Sequence, residues 1–147
     1  MPNQNPDCEL PDRDGSPEEI RALLGQHKVV AVVGLSSDER KPSYRVAAYL
    51  QSAGYRIVPI HPKATEILGM RAFPSLRDVP AEIGIEIVDL FRRPEALPAH
   101  VEEAIDVGAR VVWFQEGIVN NEAAAWAAEA GLTVVQNRCM LKEHKML

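Results

Sequence analysis

The chain has 147 residues, enough for one compact domain with a real core and too few for a second domain of ordinary size. Hydrophobic residues make up 46% and charged ones 25%, the balance of a globular protein rather than a disordered or fibrous one. A formal net charge of -5 argues against a broad nucleic-acid surface, which relies on clustered Lys and Arg, and leaves room for a local basic pocket.

Residues 1–16 carry three prolines, Gly15 and mostly polar side chains, and read as an extended or mobile arm ahead of a single domain over 17–147. This acidic start, MPNQNPDCELPD, lacks the basic head and apolar middle of a secretory signal, and apolar runs such as VVAVV are too short to cross a bilayer. A cytoplasmic location is expected, with no membrane partner. Two cysteines, Cys8 and Cys139, make no disulfide framework.

Ser16, followed by Pro17 and Glu19, has the pattern of a capped helix start, and Ile20, Leu23 and Leu24 share one face up to a stop expected at Gly25. From Val29 onward strand and helix patterns alternate. VVAVV (29–33) is followed by a helix over 43–54, RIVPI (56–60) by a mixed segment, and IGIEIVDL (83–90) by a helix starting around Pro98. RVVWF (110–114), a helix over 121–130 and LTVVQ (132–136) complete the series. Gly54, Gly108 and Gly131 each stand where a helix gives way to a strand. The expected fold is α/β: a Rossmann-like, doubly wound, mostly parallel sheet of five principal strands with helices on both faces.

In such a sheet ligands bind beyond the carboxyl ends of the strands, where the first strand feeds the first helix. That place is Gly34-Leu35-Ser36-Ser37, followed by Asp38-Glu39-Arg40-Lys41-Pro42-Ser43. Gly34 admits close backbone approach to a ligand, Ser36 and Ser37 offer hydroxyls and amides, Arg40 and Lys41 neutralise phosphate, and Ser43 is placed to cap the helix. The alternative is that Gly34 merely turns the chain while the charges face water. Neither a Walker loop nor GxGxxG is present. The second strand ends in His61-Pro62-Lys63, without the acid that binds a ribose diol in nicotinamide dinucleotide domains, which disfavours NAD and leaves NADP open.

The ordered segments VVGLSSDERKPSYRVAAYL, GYRIVPIHP, EILGMRAFPSLRDVP, VDLFRRPE and VWFQEGIVNNEAAAWAAEAGLTVVQNRCM, over about residues 17–145, resemble the small CoA-binding protein family. Its domain is similar to the N-terminal CoA-binding domain of the succinyl-CoA synthetase alpha subunit. The resemblance implies a Rossmann-like CoA domain over 17–147, with CoA or a short acyl-CoA as ligand. It places Gly34, Ser36 and Lys41 at the phosphate turn, Pro59, His61 and Pro62 beside the adenosine, and Phe91 and Arg92 along the same cleft. The chain departs from the family motif at PIHP, where His61 stands in place of an asparagine. It also stops before the synthetase domain that bears a phosphorylated histidine, so that reaction is not expected here.

Gln115, Glu116 and Gly117 after VVWF form another expected cleft rim: Gln115 can orient a polar ligand group and Gly117 allows close approach. Cys139 is a core or rim thiol, or a nucleophile if a positive neighbour activates it. His27, His100 and His144 read as packing or surface residues, no metal-ligand spacing occurs, and Asp89 and Glu116 are two strand-end acids without a defined reaction. Trp113 and Trp126 read as packing residues. The leading expectation is CoA or acyl-CoA binding without catalysis. The alternatives are an NADP-dependent reductase, an acyl-CoA-processing enzyme using Cys139, or a regulatory or acyl-delivery module acting with a protein partner.

Overall fold

The computed structural model describes residues 16–147. The expected arm, apart from Ser16, and Cys8 lie outside the described residues. Helix α1 (Pro17–Gln26) starts as its sequence requires: the Ser16 hydroxyl accepts the Glu19 N–H at 3.2 Å, and Ile20, Leu23 and Leu24 are buried. Gly25 does not end it. The stop comes at His27, whose extended backbone is pinned from the sheet by Glu86: Oε2 meets His27 Nδ1 at 2.9 Å, and Oε1 accepts the N–H groups of Lys28 and Val29 at 3.0 and 3.2 Å.

Strand β1 (Val29–Val33), helix α2 (Pro42–Ser52) and strand β2 (Arg56–Ile60) follow as expected. The mixed segment contains a small hairpin, β3 (Glu66–Ile67) and β4 (Met70–Arg71), turning through Leu68 and Gly69 at φ 57 and 73. Strand β5 (Ile87–Leu90) is shorter than expected, because Ala81–Ile83 forms a 3-10 turn that Gly84 closes in the left-handed region. Helix α3 (Leu97–Asp106), strand β6 (Val111–Phe114), helix α4 (Asn121–Glu129) and strand β7 (Thr133–Val135) come next. The chain closes with an unforeseen short helix, α5 (Met140–Lys145).

The five principal strands form one parallel sheet in the order β2-β1-β5-β6-β7. Alternate side chains divide the core between the two faces. Val30, Val32, Ile57, Ile87, Val111 and Trp113 pack under α1, α2 and α5, whereas Ala31, Val33, Val58, Val88, Leu90 and Phe114 pack under α3 and α4. Burial on both faces is why the strands read as continuous apolar runs. Each fully buried leucine, such as Leu24 or Leu50, contributes about 1.5–3 kcal/mol of transfer free energy. Trp113 is fully buried, but Trp126 is 40% exposed, because Ala123, Ala124 and Ala127 supply the buried stripe of α4. Among the described residues no helix is long and apolar enough to cross a membrane, and no group of three or more His, Cys, Asp or Glu side chains is arranged to hold a metal ion.

Candidate functional site

The chain leaves β1 to build β2 on one side and returns to build β5 on the other, which makes the crevice beyond β1 and β5 the topological switch point. Three strand ends are tied together there. The Gly34 N–H donates to Ile60 O at 3.2 Å, and the Phe91 N–H donates to Val33 O at 3.0 Å. Gly34 sits at φ 85, and a Cβ on it would lie 2.4 Å from the Phe91 carbonyl oxygen. The space expected to admit a ligand is thus filled by the neighbouring loop, and the glycine lets two backbone segments close on each other.

Beyond Gly34 the turn is anchored by fully buried Leu35. Ser36 N–H donates to Ser43 Oγ at 3.0 Å, and Ser36 Oγ accepts the Asp38 N–H at 3.0 Å. Ser43 therefore does not cap α2. Pro42 takes the first helical position, so the cap falls on Lys41, whose side chain makes no capping bond, and buried Ser43 braces the turn instead. Arg40 is engaged within the turn as well: Asp38 Oδ1 accepts its Nε at 3.1 Å and its backbone N–H at 2.9 Å, and Oδ2 accepts Nη2 at 3.2 Å. These bonds, the side-chain one first, hold the Asp38 carboxyl below its usual range. Ser37 and Lys41 are exposed. The outcome is a helix N-terminus with no side-chain cap and an exposed lysine at its mouth, which suits an anion.

At the end of β2, His61 Nδ1 accepts the N–H groups of Lys63 at 3.0 Å and Ala64 at 2.9 Å. Nδ1 is thus the acceptor of the ring, which leaves Nε2 as the nitrogen that can donate. An asparagine oxygen, the group that the family motif places here, can make the same two contacts in an Asx turn. We therefore expect His61→Asn to keep the Lys63 and Ala64 amides protected in hydrogen exchange. His61→Ala is expected to expose both and cost about 1 kcal/mol; equal protection in the two variants would remove the imidazole from the turn. Pro59 is buried within β2. Its carbonyl accepts the Phe73 N–H at 3.0 Å on the outer edge, so the N–H it lacks costs no bond to β1. Pro59 shapes the strand end, while His61 and exposed Pro62 present the accessible surface.

Among the described residues two cavities open along the strand ends, and Phe91 lines both. The smaller, about 540 Å³, is bounded by Arg92 and Arg93. The larger, about 640 Å³, runs from Pro42, Arg45 and Val46 of α2, past Phe91 and Gln115, to Cys139, Leu141 and Lys142 at α5. Gly117 stands outside this lining; its N–H donates to Asn137 Oδ1 at 2.7 Å. Arg45 escaped sequence reasoning although it lies one helical turn after Lys41, a spacing that puts both on one face. Leu141 and Lys142 escaped it because α5 was not foreseen. Lys142 Nζ meets both Glu116 oxygens at 2.9 and 3.0 Å, tying α5 to the end of β6.

Asp89 and Glu116, expected as two strand-end acids, are separated. Glu116 is exposed, whereas Asp89 is fully buried inside β5. Register places it in a row with Val32, Trp113 and Val135 across the sheet. Gln115 Nε2 donates to Asp89 Oδ1 at 2.6 Å, and Asp89 Oδ2 has no partner. Burial pushes this carboxyl up to about 8, against the opposing effect of the Gln115 bond, so Asp89 is protonated at neutral pH.

Residues 28–145 match the family described as "CoA binding domain". The uncharacterized protein YneT of Bacillus subtilis is 40% identical over 129 residues, spanning 88% of this chain and 94% of YneT. The solved structure of a hypothetical protein from Pyrococcus horikoshii OT3 is 42% identical with a TM-score of 0.87, covering 96% of this chain and 98% of that one. An ADP-forming acetate–CoA ligase II of Archaeoglobus fulgidus is 35% identical over 63 residues, which are 42% of this chain and 9% of the ligase.

Proposed function

The chain belongs to the CoA-binding-domain family, and from that premise we propose that it is a CoA or short acyl-CoA binding module with no catalysis of its own. The observation that carries the reading is the uncapped start of α2 with Lys41 beside it, at the switch point of the sheet. Phosphates bind there through backbone N–H groups and the lysine. His61, Pro62 and the cation of Lys63 flank the adenosine from the end of β2, and Phe91 and Arg92 close the cleft from β5. Residues 17–147 act as one CoA-binding domain.

Two observations set the enzyme readings lower. No acid stands at the end of β2 to take a ribose diol, which argues against a nicotinamide cofactor. All four histidines are hydrogen-bonded away from Cys139: His27 to Glu86, His100 to Glu103, His144 to Tyr49 and His61 within its own turn. The thiol lines the larger cavity without a histidine base. Ligase activity is not carried over, because the chain matches so small a part of the acetate–CoA ligase.

Calorimetry with CoA, acetyl-CoA, NADP and ADP, together with mass spectrometry of any copurified ligand, tests the reading. CoA or acetyl-CoA is expected to bind most tightly, and NADP binding as tight as CoA binding would overturn the assignment. Lys41→Met keeps the aliphatic length and removes the cation, so CoA affinity should fall about tenfold or more and its salt dependence should weaken. Unchanged affinity and salt response would make Lys41 a solvated surface residue. Cys139→Ser should fold, bind CoA and cost no turnover. Multiple turnover of an acyl-CoA by the wild type, abolished in folded, ligand-binding Cys139→Ser, would replace the binding reading with an enzymatic one.

A further inference from the structure

Away from the strand ends, a pocket of about 260 Å³ opens beside β2, the edge strand of the sheet, next to β4 and the 3-10 turn Ala81–Ile83. It shares no lining residue with either strand-end cavity. Apolar walls come from Val58 in β2, Met70 in β4, Phe73 and Ile83. Arg56, which opens β2, Arg71, which closes β4, and Glu82 line it with charge, and all three are exposed. Two cations against one acid give the pocket the sign opposite to the chain, whose net charge is -5.

The edge of β2 is closed to an added strand here. Pro59 O accepts the Phe73 N–H at 3.0 Å and the His61 N–H donates to Phe73 O at 2.9 Å, so Phe73 already covers the second half of the edge, while Ile57 in the first half is fully buried. What remains open is side-chain surface, which suits a small molecule. The same two bonds fix Phe73, and Arg71 Cζ lies 4.9 Å from its ring centroid. A ring contact of this kind orders the guanidinium without using its N–H donors. Among the described residues neither Arg56 nor Arg71 forms an ion pair, and Glu82 pairs with neither.

We propose that this pocket is a second ligand site, which takes a small apolar monocarboxylate of roughly ten heavy atoms or fewer. The carboxylate is held by Arg56 and Arg71, whose planar forks match its two oxygens, and the apolar body packs on Met70, Phe73 and Ile83. One negative charge balances the excess cation. A phosphate dianion would meet the Glu82 carboxylate with twice the charge and would leave the apolar walls uncovered. The site stands apart from the CoA reading and does not rest on it.

NMR titration of the 15N-labelled protein with 4-methylpentanoate tests the site. Saturable binding with a Kd on the order of 1 mM is expected, with shifts centred on the amides of Met70, Arg71, Phe73 and Ile83. The uncharged 4-methylpentanamide should bind about tenfold more weakly, and inorganic phosphate should leave these amides unmoved. Arg56→Met and Arg71→Met, at exposed positions, should fold as the wild type does and each weaken the acid about fivefold or more. Saturating CoA should not displace it. No saturable shift up to about 20 mM overturns the site. So do an amide or phosphate that binds there as tightly as the acid, unchanged affinity in both arginine variants, and shifts centred instead on Arg92 and Arg93 or abolished by CoA. Every arm but the last runs without CoA, so failure of the CoA reading leaves this site standing, and failure of this site leaves that reading untouched.

Discussion

Replacing Asp89 by Asn is expected to stabilise the ligand-free protein by several kcal/mol at pH 9 and to change its stability little near pH 4. In the unfolded chain the Asp89 carboxyl ionises near its ordinary value of 3.8, whereas in the fold it holds its proton up to about 8. Between those values the native state binds a proton that the unfolded state has released, so the stability of the wild type falls as pH rises. The contribution of this group is fully present below the unfolded value and is lost across the window that ends near 8. The slope is about 1.4 kcal/mol per pH unit, and above the window it is flat. Asparagine has no proton to lose and keeps an oxygen for Gln115 Nε2, so the gap between variant and wild type should widen with pH. Urea unfolding of both proteins at several values from pH 4 to pH 9 measures it. Two parallel pH–stability curves would mean that the carboxyl reaches water and that its burial costs nothing.

A group this costly in an apolar row is difficult to explain by packing alone, since valine or leucine would fill the same place without a desolvation penalty. Its position gives it another use. It lies one layer beneath the carboxyl end of β5, and the Gln115 it holds reaches the cavity. The polar pair thus links a cavity wall to the interior of the sheet, and its buried carboxyl gives up stability as pH rises.

The fold was legible because its strongest signals are local. Runs such as VVAVV and VVWF are apolar throughout since both sheet faces are covered, and Gly54, Gly108 and Gly131 take φ 100, 77 and 94 where helices turn into strands. Helix α5 was not legible because nothing local makes it. It has six residues and no side-chain cap, and it is held by tertiary contacts: buried Met140, the Tyr49–His144 hydrogen bond at 2.7 Å and the Lys142–Glu116 pair at 2.9 Å. The β3–β4 hairpin hid for a similar reason, since its turn uses Leu68 at positive φ in a place where Asn is the usual signal. The turn after β1 stands out by its residue types, but the duties of Ser43 and Arg40 depend on which partner each meets. Asp89 lies in β5 and Gln115 one residue past the end of β6, and only the register of β5 against β6 brings them together.

Gly34→Ala is expected to lower stability by about 2–5 kcal/mol and to abolish CoA binding, a larger effect than at any other glycine of the site. Two costs add. At φ 85 an alanine backbone is strained by about 1–2 kcal/mol, and its Cβ would sit 2.4 Å from the carbonyl oxygen of Phe91. That oxygen is backbone and cannot swing away, because the Phe91 N–H is bonded to Val33 O at 3.0 Å. Relief requires β1 and β5 to part at their carboxyl ends, which also displaces Phe91, the residue shared by both cavities. Gly117→Ala is the matched control: its φ of 87 imposes the same conformational strain, but no atom lies within 4 Å of the added Cβ. Thermal melts should therefore show a loss of about 1–2 kcal/mol for Gly117→Ala with CoA binding retained, and a clearly larger loss for Gly34→Ala with binding gone. Equal losses in the two variants, with CoA still bound by both, would mean that Gly34 serves only to turn the chain and that the contact with Phe91 yields without cost.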